Sequence, residues 1–260
     1  MKISIVIPAY NEEKRIGKTL KEYSEYFTKF YLENKVDYQI LVVINGTKDK
    51  TEDVVKVYQK NNKKINYLNL RVGGKGLAIT DGFKKSLDED YDLIGFVDAD
   101  LATPPKEFKQ LIEEIKNCHG VIADRYAKGS NITPKHSFRR ILVSRVYNFI
   151  VRVLFSVRYR DTQCGAKLFR KEVIREIFDE LALTNWAFDV NILYLSKKKG
   201  FYIKSIPTNW FEIEGGNLDI FRTSIQMFFA LSQLRLLNSP FRKLLKLISP
   251  LVDFTYRNIR

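Results

Sequence analysis

Runs of apolar residues along the chain alternate between two spacings. KISIVIPAY (residues 2–10) is a continuous, β-branched run stopped by Pro8, which reads as a short buried strand. In the next stretch Ile16, Leu20, Tyr23 and Phe27 recur at helical spacing, with Asn11 in position to cap the helix. YQILVVIN (38–45) is a second strand closed by the turn NGTKDKT, and TEDVVKVYQKN (51–61) a second helix. INYLNL (65–70), the glycine loop RVGGKG, the helix LAITDGFKKSLDE (77–89) and the strand DLIGFVDAD (92–100) continue the alternation. Strand, helix, strand in this order calls for an α/β domain: a Rossmann-like, mostly parallel sheet with helices on both faces.

Past residue 125 the alternation gives way. SFRRILVSRVYNFIVRVLF (137–155) mixes arginines with large apolar residues in a helical stretch, and DTQCGAKLFRKEVIREIF (161–178) is a loop leading into another helix. NWAFDVNILYLSKKKGF (185–201) is again helical, and YIKSIPTNWFEIEGG (202–216) resembles an edge strand. A domain over 1–216 is followed by a helical segment over 217–260. There IFRTSIQMFFALSQLRLL is apolar around most of its circumference. PFRKLLKLISP sets Phe241, Leu244, Leu245 and Ile248 against Arg242, Lys243 and Lys246. This pair of C-terminal amphipathic helices fits a segment lying in a membrane surface, or a hairpin packed on the domain or on a second subunit.

In parallel α/β sheets ligands bind beyond the carboxyl ends of the strands, at a switch point in strand order. PAYNEE, NGTKD and DAD each fall at the end of an expected strand, so they should converge although about 90 residues separate the outer two. Asp98 and Asp100 would then sit together at a strand tip, where like charges repel unless a cation joins them. Taken alone they also suit a loop starting the helix near Pro104 and Pro105. As hard oxygen donors they suit Mg²⁺ or Mn²⁺, which bind through one or two carboxylates plus phosphates.

Composition adds two facts. Cys118 and Cys164 provide neither a disulfide framework nor metal-ligand spacing, so a reducing setting is expected. The N-terminal apolar run is too short for a signal peptide, and no stretch has the length of a membrane span. The formal net charge of +14 is concentrated: residues 125–175 hold thirteen Lys and Arg against Asp161 and Glu172, and residues 217–260 seven against Asp219 and Asp253. Anionic partners are expected there, whether nucleic acid, lipid phosphate or an anionic membrane face.

IVIPAYNEEKRI, VVINGTKDKT, GGKGLAITDGF and FVDADLAT, in that order, resemble the nucleotide-sugar domain of family 2 glycosyltransferases, which have the GT-A fold. DTQCGAKLF and WAFDVN resemble the branch that makes polyprenyl-phosphate sugars, above all the dolichyl-phosphate glucosyltransferases. The resemblance covers roughly residues 3–213. It implies that Pro8, Ala9, Tyr10 and Glu12 line the nucleoside pocket, joined by Asn45, Lys75, Asp98 and Ala99. Asp98 and Asp100 would serve the metal, Mg²⁺ or Mn²⁺, with Asp100 on the diphosphate. Arg125 would be catalytic, while Arg139, Arg140 and Lys167 would hold the acceptor phosphate. Asp189 stands where soluble relatives place a base; a lipid phosphate is already ionised, so Asp189 is expected to orient the acceptor or a basic residue.

Three positions depart from the pattern. Asn45 replaces the usual acid of DDGS, Ala102 replaces the glutamine of mannose-forming relatives, and Asn191 ends the motif WAFDV where Glu is usual. The implied activity is inverting transfer of a sugar, glucose before others, from a UDP-sugar to dolichyl or polyprenyl phosphate, on the cytoplasmic face of a membrane. Alternatives are GDP-mannose as donor, or a soluble saccharide as acceptor. Nucleic-acid binding would leave the acidic strand ends unused. His119 and His136 read as surface residues, Trp186 and Trp210 as core or interfacial aromatics, and Cys164 as a packed thiol.

Overall fold

The computed structural model describes residues 1–135, 137–181, 187–213 and 220–239. His136, Trp186 and the amphipathic stretch from Pro240 lie outside the described residues. The expected alternation is present as β1 (Lys2–Ala9), α1 (Ile16–Asn34), β2 (Asp37–Asn45), α2 (Thr51–Asn61), β3 (Ile65–Leu70), α3 (Lys75–Asp88), β4 (Leu93–Phe96) and α4 (Pro105–Glu114). After it come β5 (Gly120–Asp124), β6 (Asn131–Thr133), α5 (Phe138–Phe155), β7 (Lys167–Arg170), α6 (Lys171–Ile177), α7 (Phe188–Lys198), β8 (Ile203–Pro207), β9 (Asn209–Phe211) and α8 (Ile220–Leu237).

Seven strands form one sheet in the order β3-β2-β1-β4-β7-β5-β8, and β6 pairs with β9 apart from it. Strand order reverses between β1, which continues outward to β2, and its other neighbour β4, so the crevice beyond these carboxyl ends is the switch point. Both faces of the sheet are covered, which is why β1 and β2 read as unbroken apolar runs. Ile3, Ile5 and Ile7 pack against Ile16, Leu20, Tyr23 and Phe27 of α1 and Phe108 of α4. On the opposite face Val6, Val43, Ile94 and Phe96 meet Ala78, Ile79 and Phe83 of α3 and Ile192 and Leu195 of α7.

Two local expectations are corrected. Asn11 does not cap α1: it lies at φ +53°, and its side chain accepts from the amide of Lys48 instead. The helix starts four residues later than the first polar cluster because Glu12 occupies the turn, its carbonyl accepting from Arg15 and Ile16. The loop expected before α6 contains β7, which runs antiparallel to both β4 and β5. KLFR is a four-residue run with a cation at each end, too short and too charged to announce a central strand. β5 also had no expected counterpart.

β7 has a positional consequence. Phe96 pairs with Lys167, and Lys167 in turn with Ile122, so the start of β7 lies beside the carboxyl ends of β4 and β5. The amides of Val97 and Ala123 extend the same ladder to Val6 and Ala166. Hence Ala9, Asn45, Asp98, Arg125 and Lys167 share one edge of the sheet. Helix α8 is packed on this body: Ala230, Leu231 and Leu234 bury against Tyr147, Val151 and Phe155 of α5 and Val190 of α7. Among the described residues no helix is long and apolar enough to cross a membrane.

The β4–β7 contact depends on Gly95, where an added Cβ would meet the carbonyl oxygen of Lys167 at 2.5 Å and the ring of Phe108 at 2.9 Å. Gly95→Ala is expected to cost about 3 kcal/mol by overpacking against backbone. The urea midpoint should fall without change in slope. An unchanged midpoint would mean that the two strands separate at no cost.

Candidate active site

The site begins with how the loop after β4 is held. Thr19 of α1 donates to the carbonyl of Ala99 at 2.6 Å, and Tyr23 donates to that of Thr103 at 2.7 Å. Phe211 of β9 donates its amide to Ala102 at 2.8 Å. The loop turns at Leu101, φ +64°, and Asp100 accepts from the amide of Ala102 at 3.0 Å. Neither aspartate caps α4, whose N-cap is Pro104 with no side-chain bond. Both carboxylates are half-buried.

Their electrostatics differ. Lys75, the first residue of α3, places its ammonium 2.5 Å from Asp98. Burial opposes ionisation of Asp98, but attraction to Lys75, Lys167 and Arg125 outweighs it and lowers the pKa. Asp100 has no such partner: burial and the negative charge of Asp98 raise its pKa. Glu12 is raised too, chiefly by burial, although Arg15 grips its carboxylate with two bonds of 2.6 and 2.7 Å. Among the described residues no cluster of three or more His, Cys, Asp or Glu forms a complete metal site. Two hard carboxylates with open coordination, one of them short of positive charge, fit a divalent ion whose remaining ligands are phosphate and water.

The position of Asp98 has a second determinant, which the sequence reading did not single out. A Cβ built on Gly165 would lie 1.9 Å from Oδ2 of Asp98 and 2.4 Å from its Cγ. The carboxylate therefore occupies the space that a side chain at 165 would take, with Lys75 on its other oxygen. The only sequence signal was a glycine inside DTQCGAK, indistinguishable there from a turn residue.

Asn45, 2% exposed, knits three segments together. Its amide nitrogen donates to the carbonyl of Ala9 at 3.1 Å, and its oxygen accepts from the amide of Gly74 at 3.0 Å. Pro8 and Ala9 end β1, and exposed Tyr10 follows them beside Gly73. Neither amide group of Asn45 points into open space in this arrangement.

Lys167 is fully buried. Its ammonium donates to Asp189 at 2.5 Å and to the carbonyl of Cys164 at 2.6 Å, over the ring of Phe96. Lys75 stands over the same ring, 5.9 Å from its centroid. Lys75 and Lys167, each paired with an aspartate, thus share one aromatic ring. Lys167 lies beneath the site, apart from Arg139, which is exposed on α5, and from Arg140, which is bonded to Glu212. Of the expected cluster, Arg125 and Arg140 stand close enough for their charges to repel, and Arg125 and Lys167 both act on Asp98 and Asp161.

Arg125 follows β5 and is held by Asp161, with Nε and Nη2 bonds of 2.7 and 3.0 Å and a backbone bond of 3.2 Å. Its guanidinium lies 5.2 Å from the ring centroid of Trp210. Burial works against the ionised form of Asp161, yet attraction to Arg125 and the bonds from it pull the pKa down. Nη1 of Arg125 is not used by Asp161 and keeps two donors for an anion. Cys164 is buried, and burial pushes its thiol up to about 11, which leaves it unreactive at neutral pH. Asn191 is buried with neither amide atom bonded.

If Gly165 acts by admitting Asp98, Gly165→Ala and Asp98→Ala cannot be additive. Gly165→Ala should weaken nucleotide binding by tenfold or more in the wild type, about 1.4 kcal/mol. In an Asp98→Ala background it should change binding and stability little, and additive losses by calorimetry and melting would refute the mechanism. Asp161→Asn should cost about 3–5 kcal/mol at pH 7, since Arg125 is left buried and unpaired. Because the folded-state pKa of Asp161 is lowered, its contribution is present above about pH 4 and lost as pH falls through the folded value. Paired melts should therefore differ at pH 7, and the difference should shrink as pH falls below the ordinary carboxylate range.

Comparison with known proteins places this geometry. Residues 4–178 match the family model described as glycosyl transferase family 2. A dolichyl-phosphate β-glucosyltransferase of Dictyostelium discoideum is 36% identical over 236 residues, 86% of this chain and 71% of that protein. The protein of the same description from Homo sapiens is 33% identical, over 86% of this chain and 72% of its own length. Among solved structures, glucosyl-3-phosphoglycerate synthase from Mycobacterium tuberculosis, in complex with Mn²⁺, UDP and phosphoglyceric acid, superposes with a TM-score of 0.67. It is 17% identical and covers 90% of this chain and 78% of its own, a likeness of fold. With the family model spanning most of the sheet and relatives matched over most of their length, the chain belongs to glycosyl transferase family 2.

Proposed function

We propose that the chain transfers glucose from UDP-glucose to dolichyl or polyprenyl phosphate, with inversion, at the surface of a membrane. Relatives matched over more than two thirds of their length carry the name dolichyl-phosphate β-glucosyltransferase, and the enzyme class follows from them. The observation that carries the mechanism is the shared sheet edge: an acidic pair beyond β4 and a guanidinium beyond β5, bridged by β7.

Under this reading Asp98 and Asp100 hold Mg²⁺ or Mn²⁺, the ions present with UDP in structures of the same fold. A bound ion would neutralise charge on the diphosphate as it leaves. Tyr10, at the open end of β1, covers the base, while Pro8, Ala9 and Ala99 form the backbone wall. Asn45 shapes that wall through Ala9 and Gly74. Glu12, gripped by Arg15, fixes the turn below the ribose and keeps an acceptor oxygen there.

Arg125 receives the acceptor phosphate through Nη1, and Asp161 prevents the guanidinium from turning away. Anionic acceptor and anionic donor repel, so a fixed cation between them lowers the barrier through charge already in place. Arg139 and Arg140 lead toward that position from α5. Lys167 contributes its positive charge from beneath, through Asp98 and Asp189, with no contact to phosphate. Asp189, occupied by Lys167, orients that ammonium and is not the proton acceptor; a phosphate monoester attacks without one. The surface is assigned to the cytoplasmic face, where nucleotide sugars are supplied.

A donor screen tests the reading. Purified protein with Mn²⁺ or Mg²⁺, short-chain polyprenyl phosphate and radiolabelled UDP-glucose, UDP-N-acetylglucosamine or GDP-mannose should move label into organic solvent with UDP-glucose. Asp100→Ala should lower the rate by about a hundredfold or more. Label entering from GDP-mannose would reassign the donor. No organic label with any donor, while UDP binds, would leave the soluble-acceptor reading.

A further inference from the structure

Among the described residues, helix α5 has one face without a partner. Tyr147, Val151 and Phe155 turn inward onto α7 and α8. On the outer side Phe138, Leu142, Val146, Phe149 and Val153 follow one another at steps of four, four, three and four residues, the spacing of a single helical stripe. They are 78%, 52%, 50%, 59% and 63% exposed. Scattered exposed apolar residues are ordinary on a soluble surface; a continuous stripe along an 18-residue helix is not.

The charge around the stripe has one sign. Arg145 and Arg152 flank it on one side and Arg139 on the other, all exposed. Residues 125–160 hold nine Lys and Arg and neither Asp nor Glu. Apolar residues along one line with arginines at both borders match the acyl–headgroup boundary of a bilayer bearing negative lipids. A protein partner burying the same stripe would have to desolvate the arginines beside it, whereas lipid headgroups pair with them. The helix also connects to the reaction site. The Tyr126 hydroxyl donates to Ser144 of α5 at 2.8 Å, and its ring lies 5.0 Å from the guanidinium of Arg145 and 5.9 Å from that of Arg125.

We propose that the outer face of α5, residues Phe138, Leu142, Val146, Phe149 and Val153 with Arg145 and Arg152, is the surface by which the protein lies on an anionic bilayer. The assignment of a use to this surface rests on the lipid-acceptor reading: docking here brings Arg125 to the headgroup level, where a membrane-held phosphate arrives. The proposed surface is drawn from the described residues alone. Sequence alone directs attention to the amphipathic stretch at 240–250, and α5 is a separate and larger apolar stripe.

The test uses the full chain and vesicles of phosphatidylcholine with or without phosphatidylglycerol. The protein should float with the anionic vesicles and less with neutral ones. The combined variant Leu142→Gln, Phe149→Gln, Val153→Gln changes only exposed positions. It should lose flotation by roughly tenfold or more while transfer to a water-soluble short-chain polyprenyl phosphate is unchanged. Phe149→Trp should show a blue-shifted emission, quenched by brominated acyl chains, only when vesicles are present. Unchanged flotation of the triple variant overturns the proposal. So does a Phe149→Trp emission already blue-shifted without lipid, which would mean that the chain or a second copy covers the face. Absence of transfer to the short acceptor in the wild type would instead refute the lipid-acceptor reading, and flotation would still decide the docking surface.

Discussion

The carboxylate of Asp98 sits in a space defined from two sides, and the chemistry at the strand ends depends on that placement. Lys75 draws one oxygen, while the missing side chain of Gly165 makes room for the other. Without the lysine, two half-buried aspartates one residue apart would repel, and protonation would remove the negative charge a metal needs. Without the glycine, the carboxylate could not lie against β7 at all. The site is therefore fixed by sterics as much as by charge. Its two determinants come from loops about 90 residues apart in sequence, joined only through the sheet.

Much of that sheet was readable beforehand, because its first half obeys one rule. Strands buried on both faces show unbroken β-branched runs, and the intervening helices show apolar residues at three and four. β1, α2 and β3 were therefore legible nearly to the residue. The second half disobeys the rule for identifiable reasons. KLFR carries cations at both ends, and Lys167 is buried only because Asp189 and a carbonyl accept hydrogen bonds from its ammonium. A central strand beginning with lysine has no periodic signature. The partnership that makes it possible spans 22 residues and appears only in three dimensions.

The candidate site was legible in a similarly divided way. Asp98 and Asp100 stand out because charged residues at an expected strand end need a reason, whereas Arg125 is marked only by the family resemblance, since β5 had no expected counterpart. Gly165, Asp161 and Arg15 do not stand out, since each acts by shaping or holding another residue. Lys167 was assigned to phosphate because it is basic and lies in a motif; burial converts it into a counter-charge. Asn45 was read as a base contact because an amide can pair with one, and its actual bonds tie Ala9 to Gly74. In both cases the direction of the side chain is set by packing that periodicity does not encode.

β7 explains how one small domain can bring together two anions. In a parallel neighbour the loop that precedes the strand would lie at the opposite edge of the sheet from the end of β4. An antiparallel strand instead starts where β4 ends, so the loop before it lies directly against Asp98. β5, antiparallel to β7, then ends at the same edge and delivers Arg125 there. The carboxylates proposed to hold the metal and the guanidinium proposed to receive phosphate are thus neighbours across three adjacent strands. The buried Lys167–Asp189 pair stands between them, which offsets the cost of concentrating charge in a half-buried cleft. Between Arg125 and α5 the chain forms only the short β6, so the helix bearing the exposed apolar stripe is the next helix after that arginine.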